Sequence, residues 1–288
     1  MKRPLPEWFK EELSDTNSLK LRRLFSEFGI NTVCRQVKCS NLSYCFKHKK
    51  VAFMILGERC TRNCSFCFVK KPDGSALSVD RDEAERIARI TQAFGLAFVV
   101  ITSVTRDDLE DGGSRQFQRV IKLIKAVNKE VKIEAVTPDF EGRVMSLKTV
   151  LEAKPDILGH NIHTVKRLYK QLRPMADYQL SLDILEISKE LAPDIKTKSS
   201  IMLGLGEEED EVTEAMEDLR KSRCDILTIG QYFAPSADHY PVKEFIDHDT
   251  FKKYKSIATF LGFKAVLSGP RVRSSVYAQD LYKELEYA

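Results

Sequence analysis

VAFMILGERCTRNCSFCFVK, residues 51–70, governs how the rest of this chain is read. Its first seven residues form an unbroken apolar run. Such a run, bounded by a glycine, fits a strand buried on both faces. Cysteines follow at 60, 64 and 67, spaced C-x3-C-x2-C. In α/β sheets of the doubly wound and barrel types, chemistry collects at the C-terminal ends of the strands, which is where this triplet falls. Just upstream, Cys34, Cys39 and Cys45 form a second triplet, C-x4-C-x5-C.

Six of the seven cysteines therefore lie between residues 34 and 67. Three thiolates hold three irons of a four-iron cluster and leave the fourth open to a substrate or cofactor. Two such sites suggest one cluster for radical initiation and a second for another task. A disulfide framework fits poorly, because the chain is long, its cysteine count is odd, and MKRPLPEWFK shows no apolar signal segment. Zinc is the stronger rival, since four ligands close a structural site, and His48 could complete the first triplet. Zinc ribbons pair C-x2-C with a second C-x2-C, and no second pair exists here. Cys224 stands alone before an apolar run and reads as a buried structural thiol.

Downstream the chain alternates short apolar runs with amphipathic stretches. Strands are expected at 51–57, 97–102, 131–137, 156–161, 197–205, 225–232 and 263–270. Helices are expected at 80–94, 114–128, near 143–153, at 178–192, 209–222 and near 249–261. Apolar strands separated by helices imply a parallel sheet covered on both faces. Six or seven such units fit a TIM-like barrel, full or partial, with a doubly wound sheet as the alternative. Thr102–Ser103, His160–Asn161, Gly204–Gly206 and Gln231–Tyr232 follow successive strands and converge on one rim. The first triplet lies before the barrel and needs a route to that rim.

The 288 residues suffice for one large domain, and 43% hydrophobic content supports a real core. With 46 basic and 42 acidic residues, the net charge of +4 is too balanced to argue for nucleic acid. No apolar run approaches the roughly 20 residues that cross a bilayer, so a soluble cytoplasmic protein is expected. Basic clusters at 47–50 and at Lys70–Lys71 flank the cysteines. They read as solvated loops, or as an electropositive rim for an acidic partner.

At C-T-R-N-C-S-F-C, residues 60–67, the chain resembles the radical SAM superfamily. The resemblance implies a [4Fe–4S] cluster on Cys60, Cys64 and Cys67, with S-adenosylmethionine on the fourth iron and Phe66 near adenine. From about residue 30 to 285 the chain further resembles the lipoyl synthase family. Both triplets carry that resemblance, with TSVTRDDLEDGGS (102–114), GHNIHTV (159–165), RLYKQLRPMADYQLSL (167–182), KSSIMLGLGEEEDEV (198–212), QYFAPSADHYPV (231–242) and LSGPRVRSSVYA (267–278). It implies a second [4Fe–4S] cluster on Cys34, Cys39, Cys45 and a serine of the Arg-Ser-Ser motif, Ser275, with Ser274 as the alternative. Serine oxygen is a poorer partner for iron than thiolate and should leave more readily, which suits a cluster consumed as a sulfur source.

The resemblance also places Thr102, Ser103, Asn161 and Arg173 on S-adenosylmethionine, with residues 198–206 near adenosine. Read as plain structure, Thr102 and Ser103 cap a strand, Arg173 forms a salt bridge, and His160 is a core histidine with no assigned role. Asp107 and Asp108 either cap the helix near 114 or bind a ribose hydroxyl. Three positions depart from the family pattern: Val276 replaces a tyrosine, His163 replaces a glutamate, and Arg35-Gln36 follows Cys34 without an acid.

The implied architecture is an α/β, TIM-like partial (β/α)6 radical SAM barrel at 51–268. An N-terminal extension, 1–50, carries the auxiliary cysteines, and a C-terminal extension, 269–288, carries the Arg-Ser-Ser motif. The implied activity is insertion of two sulfurs at C6 and C8 of a protein-bound octanoyl-lysine. The implied partners are an octanoylated lipoyl carrier domain (2-oxoacid dehydrogenase E2 or glycine cleavage H protein) and an electron donor such as ferredoxin or flavodoxin. Neither nucleic acid nor membrane is among them. The alternative is another two-cluster sulfur-transfer enzyme, a methylthiotransferase or a relative of biotin synthase.

Overall fold

The computed structural model describes residues 25, 29–33, 45, 48–73, 78–275 and 277–286, without the side chains of 285 and 286. Cys34, Cys39, Lys47 and Val276 lie outside the described residues. Seven parallel strands form one sheet: β1 (Val51–Ile55), β2 (Phe98–Ser103), β3 (Lys132–Val136), β4 (Ile157–Gly159), β5 (Lys196–Leu203), β6 (Ile226–Gln231) and β7 (Ala265–Gly269). Spatial order follows chain order from β1 to β7. A doubly wound sheet reverses its order at a switch point, so that alternative is excluded. Among the described residues no ladder joins β7 to β1, and the barrel is partial. Six βα units and an added seventh strand build it.

The strands are apolar throughout because each is covered twice. On the outside, Phe53, Ile55, Val99, Ile101, Ile133 and Ala135 pack on α1 (Glu83–Ala93), α2 (Ser114–Val127) and α3 (Val144–Leu151). In α2 the buried Phe117, Val120, Ile121 and Ile124 recur at helical spacing, giving one apolar stripe for the sheet. After the short α4 (Tyr169–Leu172), the later strands offer Ile201, Leu203, Leu227 and Ile229 to α5 (Tyr178–Leu191), α6 (Glu209–Lys221) and α7 (His248–Phe260). Two of the helix starts are capped by aspartates. Asp177 accepts from Leu180 N at 2.8 Å, and Asp247 accepts from Thr250 N at 2.8 Å.

Alternate strand residues turn inward. Ala52, Phe98, Val100, Ile157, Ile226 and Ala265 form a smaller inner cluster with Ala278 and Leu281 of a C-terminal helix, α8 (Ala278–Glu286). The sequence reading contained no helix there. Ala278, Leu281 and Tyr282 share one face of α8 at i, i+3, i+4 and meet the starts of the strands. Tyr282 lies 6.0 Å from the Phe98 ring and beneath Lys132. Lys50 pairs with Asp280 at 2.6 Å and stands over the Tyr277 ring. The chain after β7 therefore returns into the barrel and closes its base.

Between β7 and α8 the backbone runs along the inner face of β6. A Cβ on Gly230 would lie 2.2 Å from Val272 O and 3.1 Å from Val272 C. Both are backbone atoms and cannot swing aside. Gly230→Ala should therefore cost about 1–3 kcal/mol or displace residues 270–275. Urea unfolding together with proteolysis near 271–273 tests this. An unchanged midpoint and cleavage pattern would show that the contact is not tight.

Candidate active site

The cysteine loop leaves β1 through two left-handed residues, Leu56 and Gly57. It has no ladder of its own, so its backbone groups find partners on neighbouring loops. Cys60 N donates to Lys70 O at 2.9 Å and closes the loop on itself. Thr61 N donates to Thr105 O, and Ser65 N to Leu172 O, both at 2.9 Å. Tyr240 N donates to Ser65 O at 2.9 Å. Loops after β2, β4 and β6 thus converge on the one after β1.

Arg62, between the first two cysteines, locks this assembly. Its guanidinium donates to Asp139 at 2.5 and 2.6 Å and to Asp107 at 2.9 and 3.0 Å. Arg62 is 6% exposed and Asp139 1%. Burial works against the Arg62 cation, but the Asp139 and Asp107 carboxylates outweigh it and hold the proton more tightly than usual. Asp107 is thus neither a helix cap nor free for a ribose. Asp108 pairs with Arg106, and Asp111 bonds the start of α2 through Gly113 N and Arg115 N. The sequence reading missed Arg62 and Asp139. Their signal was an arginine inside the cysteine spacing and an aspartate just past β3.

Cys60, Cys64 and Cys67 are half-buried on this loop. Burial pushes the Cys67 thiol up, opposed by a backbone hydrogen bond and the nearby Lys71 cation. Among the described residues no three His, Cys, Asp or Glu side chains form a single-ion site. An iron–sulfur cluster does not need one, because each thiolate takes a different iron.

The rim beside the loop carries buried polar atoms without partners: Ser103 Oγ, Thr137 Oγ1, His160 Nε2 and Arg173 Nε. Buried polar groups are normally satisfied, so this cluster fits a polar, charged cofactor next to the thiolates. Thr102 and Ser103 end β2, and Asn161 stands two residues past β4. Arg173 is not in a salt bridge among the described residues. It donates to Ile162 O at 3.1 Å and to Tyr169 Oη at 2.8 Å, and lies 5.0 Å from the Tyr169 ring. Phe66 packs against His163, with ring centroids 5.2 Å apart. His163 has φ of 67°, donates its N–H to Ser200 O and accepts from Met202 N. Burial, then the Arg173 cation, hold its ring well below the ordinary histidine range, so it is neutral.

Inside the barrel below this rim, Lys198 of β5 meets Glu134 of β3 at 2.9 Å, both wholly buried. Burial pushes the Glu134 carboxyl up, and Lys198 draws it back down only in part. Lys198 Nζ also donates to Ser274 O at 2.5 Å, and Ser274 Oγ donates to Asn161 Oδ1 at 3.3 Å. The Arg-Ser-Ser segment thus lies against the inner sheet face, and Ser275 is half-buried beside it.

Cys45 is buried, and its carbonyl accepts from Lys50 N at 2.8 Å. It therefore belongs to the N-terminal end of β1, while Cys60 belongs to the other end, about 15 Å of strand away. Cys45 is the one member of the first triplet among the described residues. The C-terminal segment spans the interval, with Ser274 at Asn161 and Tyr277 at Lys50.

The family model of the radical SAM superfamily matches residues 54–219. Methylornithine synthase superposes with a TM-score of 0.53 at 13% identity, covering 94% of this chain and 88% of its own. The FeFe-hydrogenase maturase HydG from Carboxydothermus hydrogenoformans gives a TM-score of 0.56 at 14% identity, covering 96% and 63%. Fold and site together define a radical SAM enzyme, with a cluster-binding loop on the first strand of a partial barrel. Lipoyl synthase of Caldicellulosiruptor bescii is 47% identical over 276 residues, 96% of this chain and 94% of its own. That of Alkaliphilus metalliredigens is 45% identical over 282 residues, 98% and 97%. The chain belongs to the lipoyl synthase family, whose cofactors are S-adenosylmethionine and two [4Fe–4S] clusters.

Two outcomes follow from the buried charges. Arg62→Met leaves two carboxylates without their cation and should cost about 3 kcal/mol or more. Arg62→Lys should recover only part of this, since an ammonium cannot fork to both aspartates. Equal urea midpoints for Lys and Met variants would mean the fork carries no special weight. His160 donates from Nδ1 to Thr137 O at 2.9 Å, and burial, then the Arg173 cation, push it down to about 4. The unfolded chain takes this proton near 6.5, so the stability held by neutral His160 is whole above pH 6.5. It is lost as pH falls from 6.5 through about 4. Relative to wild type, His160→Gln should lose less stability between pH 7 and 4.5, by up to roughly 3 kcal/mol. Parallel stability–pH curves for the two proteins would refute this.

Proposed function

We propose that this chain inserts sulfur at C6 and C8 of an octanoyl group amide-linked to a lysine of a lipoyl carrier domain. When bound, S-adenosylmethionine and the cluster at Cys60, Cys64 and Cys67 supply a hydrogen-abstracting radical, and the cluster at Cys34, Cys39, Cys45 and Ser275 supplies sulfur. The protein's part is positioning and shielding. Arg62, Thr61 and Ser65 hold the thiolate loop against three other loops. Thr102, Ser103, Asn161 and Arg173 offer polar groups to the cofactor's charged ends, and Phe66 offers a flat face to its base.

The observation that carries the reading is where Ser274 and Tyr277 lie. Ser274 contacts Asn161 among the rim residues, and Tyr277 contacts Lys50 next to the segment bearing Cys45. A donor held by Ser275 and Cys45 would stand within the barrel, below the radical source, on the path an extended acyl chain would take from the rim. The outer helices and α8 exclude water from that path, which protects reactive species.

The carrier is the lipoyl domain of a 2-oxoacid dehydrogenase E2 or a glycine cleavage H protein, and the electron donor a ferredoxin or flavodoxin, in the cytoplasm. None of the described helices is long and apolar enough to cross a membrane. Of the basic residues first considered for docking, Lys50 is engaged with Asp280 inside the fold and is not available. Lys70 and Lys71 remain on the cysteine loop, held by Glu58 and by Cys64 O.

Anaerobic reconstitution, followed by incubation with S-adenosylmethionine, reductant and an octanoyl-lysyl peptide, should add two sulfurs by mass spectrometry. Cys45→Ala and Cys34→Ala should still release 5′-deoxyadenosine while adding none. Normal sulfur insertion by either variant would sink the division of labour between the triplets.

A further inference from the structure

The chain buries a lysine and a glutamate inside the barrel, and neither belongs to the cysteine loop or the cofactor rim. Lys198 and Glu134 are each 0% exposed and lie 2.9 Å apart. Burying such a pair costs several kcal/mol of desolvation, and apolar residues of similar volume would often serve stability as well. An interior ion pair therefore calls for a role beyond packing. An ammonium has three donors in a tetrahedral array. One goes to Glu134 Oε2, and a second to Ser274 O at 2.5 Å.

That second bond is the one interior contact by which a charged side chain holds the backbone of the Arg-Ser-Ser segment among the described residues. Around it the segment makes further contacts, with the Arg273 guanidinium 5.2 Å from the Phe233 ring. Arg273 donates to carbonyls of its own turn, Val272 O and Pro270 O. Ser274 Oγ reaches Asn161 Oδ1 only at 3.3 Å. Gly230 leaves space for the Val272 carbonyl without bonding it. From the inner sheet face, Lys198 thus holds the carbonyl that immediately precedes Ser275. Glu134 in turn sets Lys198. Its Oε1 has no partner, so the carboxylate is committed to the lysine alone.

We propose that Lys198, fixed by Glu134, is a positioning residue that holds the Ser274 carbonyl and thereby places Ser275 for the auxiliary cluster. The placement of a ligand rests on the proposed assignment of Ser275. The tether itself does not.

The test uses reconstituted enzyme and two readouts. Amide exchange of residues 270–277 reports the tether, and the Mössbauer spectrum of the auxiliary cluster reports its non-cysteine iron site. Lys198→Met should raise exchange in 270–277 about tenfold or more, while exchange in 57–70 stays at the wild-type rate. Its auxiliary spectrum should move toward that of Ser275→Ala. Because Lys198→Met leaves a buried glutamate alone, the neutral pair Lys198→Met with Glu134→Gln is measured beside it. This pair restores a compatible interior without the charge-assisted bond and should show the same local rise. Lys198→Arg, which keeps a donor, should fall between. Wild-type exchange in both Met variants, or an equal rise in 57–70 and 270–277, would overturn the tether. If exchange rises locally but Ser275→Ala leaves the auxiliary spectrum unchanged, the ligand assignment fails and the placement of a ligand is overturned with it, while the tether stands.

Discussion

A loop that must present three thiolates cannot spend them on holding itself in shape. The cysteine loop is closed by a few bonds of its own, such as Cys60 N to Lys70 O, and is held from outside by the buried Arg62 fork to Asp107 and Asp139. Because the two aspartates follow β2 and β3, one guanidinium ties three strand ends together. The geometry is specific to arginine: two carboxylates are each met by a planar pair of N–H groups. The cation also offsets one of the two carboxylate charges in a region with little access to water. The neighbouring rim then inherits a rigid frame on which Ser103, Thr137, His160 and Arg173 keep polar atoms free.

The same economy governs the inside of the barrel. The outer face of the sheet is conventional, with two apolar clusters under the helices. The inner face changes character along its length. Near the base it is apolar and is closed by Ala278 and Leu281 of α8. Toward the rim it carries Glu134, Lys198 and Thr102. The C-terminal segment has Ser274 at Lys198 in the polar part and Ala278 in the apolar part. Buried charge raises the cost of folding.

Much of this was legible from the sequence. The strand and helix boundaries fall within two or three residues of those expected. That agreement follows from continuous apolar strands and amphipathic helices, the two most distinct periodicities a sequence can show. The thiolate spacing lies within one short loop, so its proximity needed no fold to infer. Other relations were hidden because they connect distant parts of the chain. Nothing near Arg62 announces Asp139, and nothing near Lys198 announces Ser274. Asp107 and Asp108 read locally as helix caps, yet a nearby arginine claims each of them. Lys50 read as part of a charged surface cluster, but α8 brings Asp280 and Tyr277 onto it.

The amino-acid sequence by itself determined that this chain is a parallel α/β protein with two cysteine triplets, because short-range spacing and periodicity are properties of a few consecutive residues; the choice of a barrel over a doubly wound sheet came from the strand order. Only the tertiary structure decided how Cys45 and the 60–67 triplet are related. They lie at opposite ends of β1, and a C-terminal segment that no local pattern places comes near both. Its course is set by contacts with β4, β5, β6 and the base of the barrel. Such contacts exist only when residues far apart in the chain are brought together by the closing of the sheet.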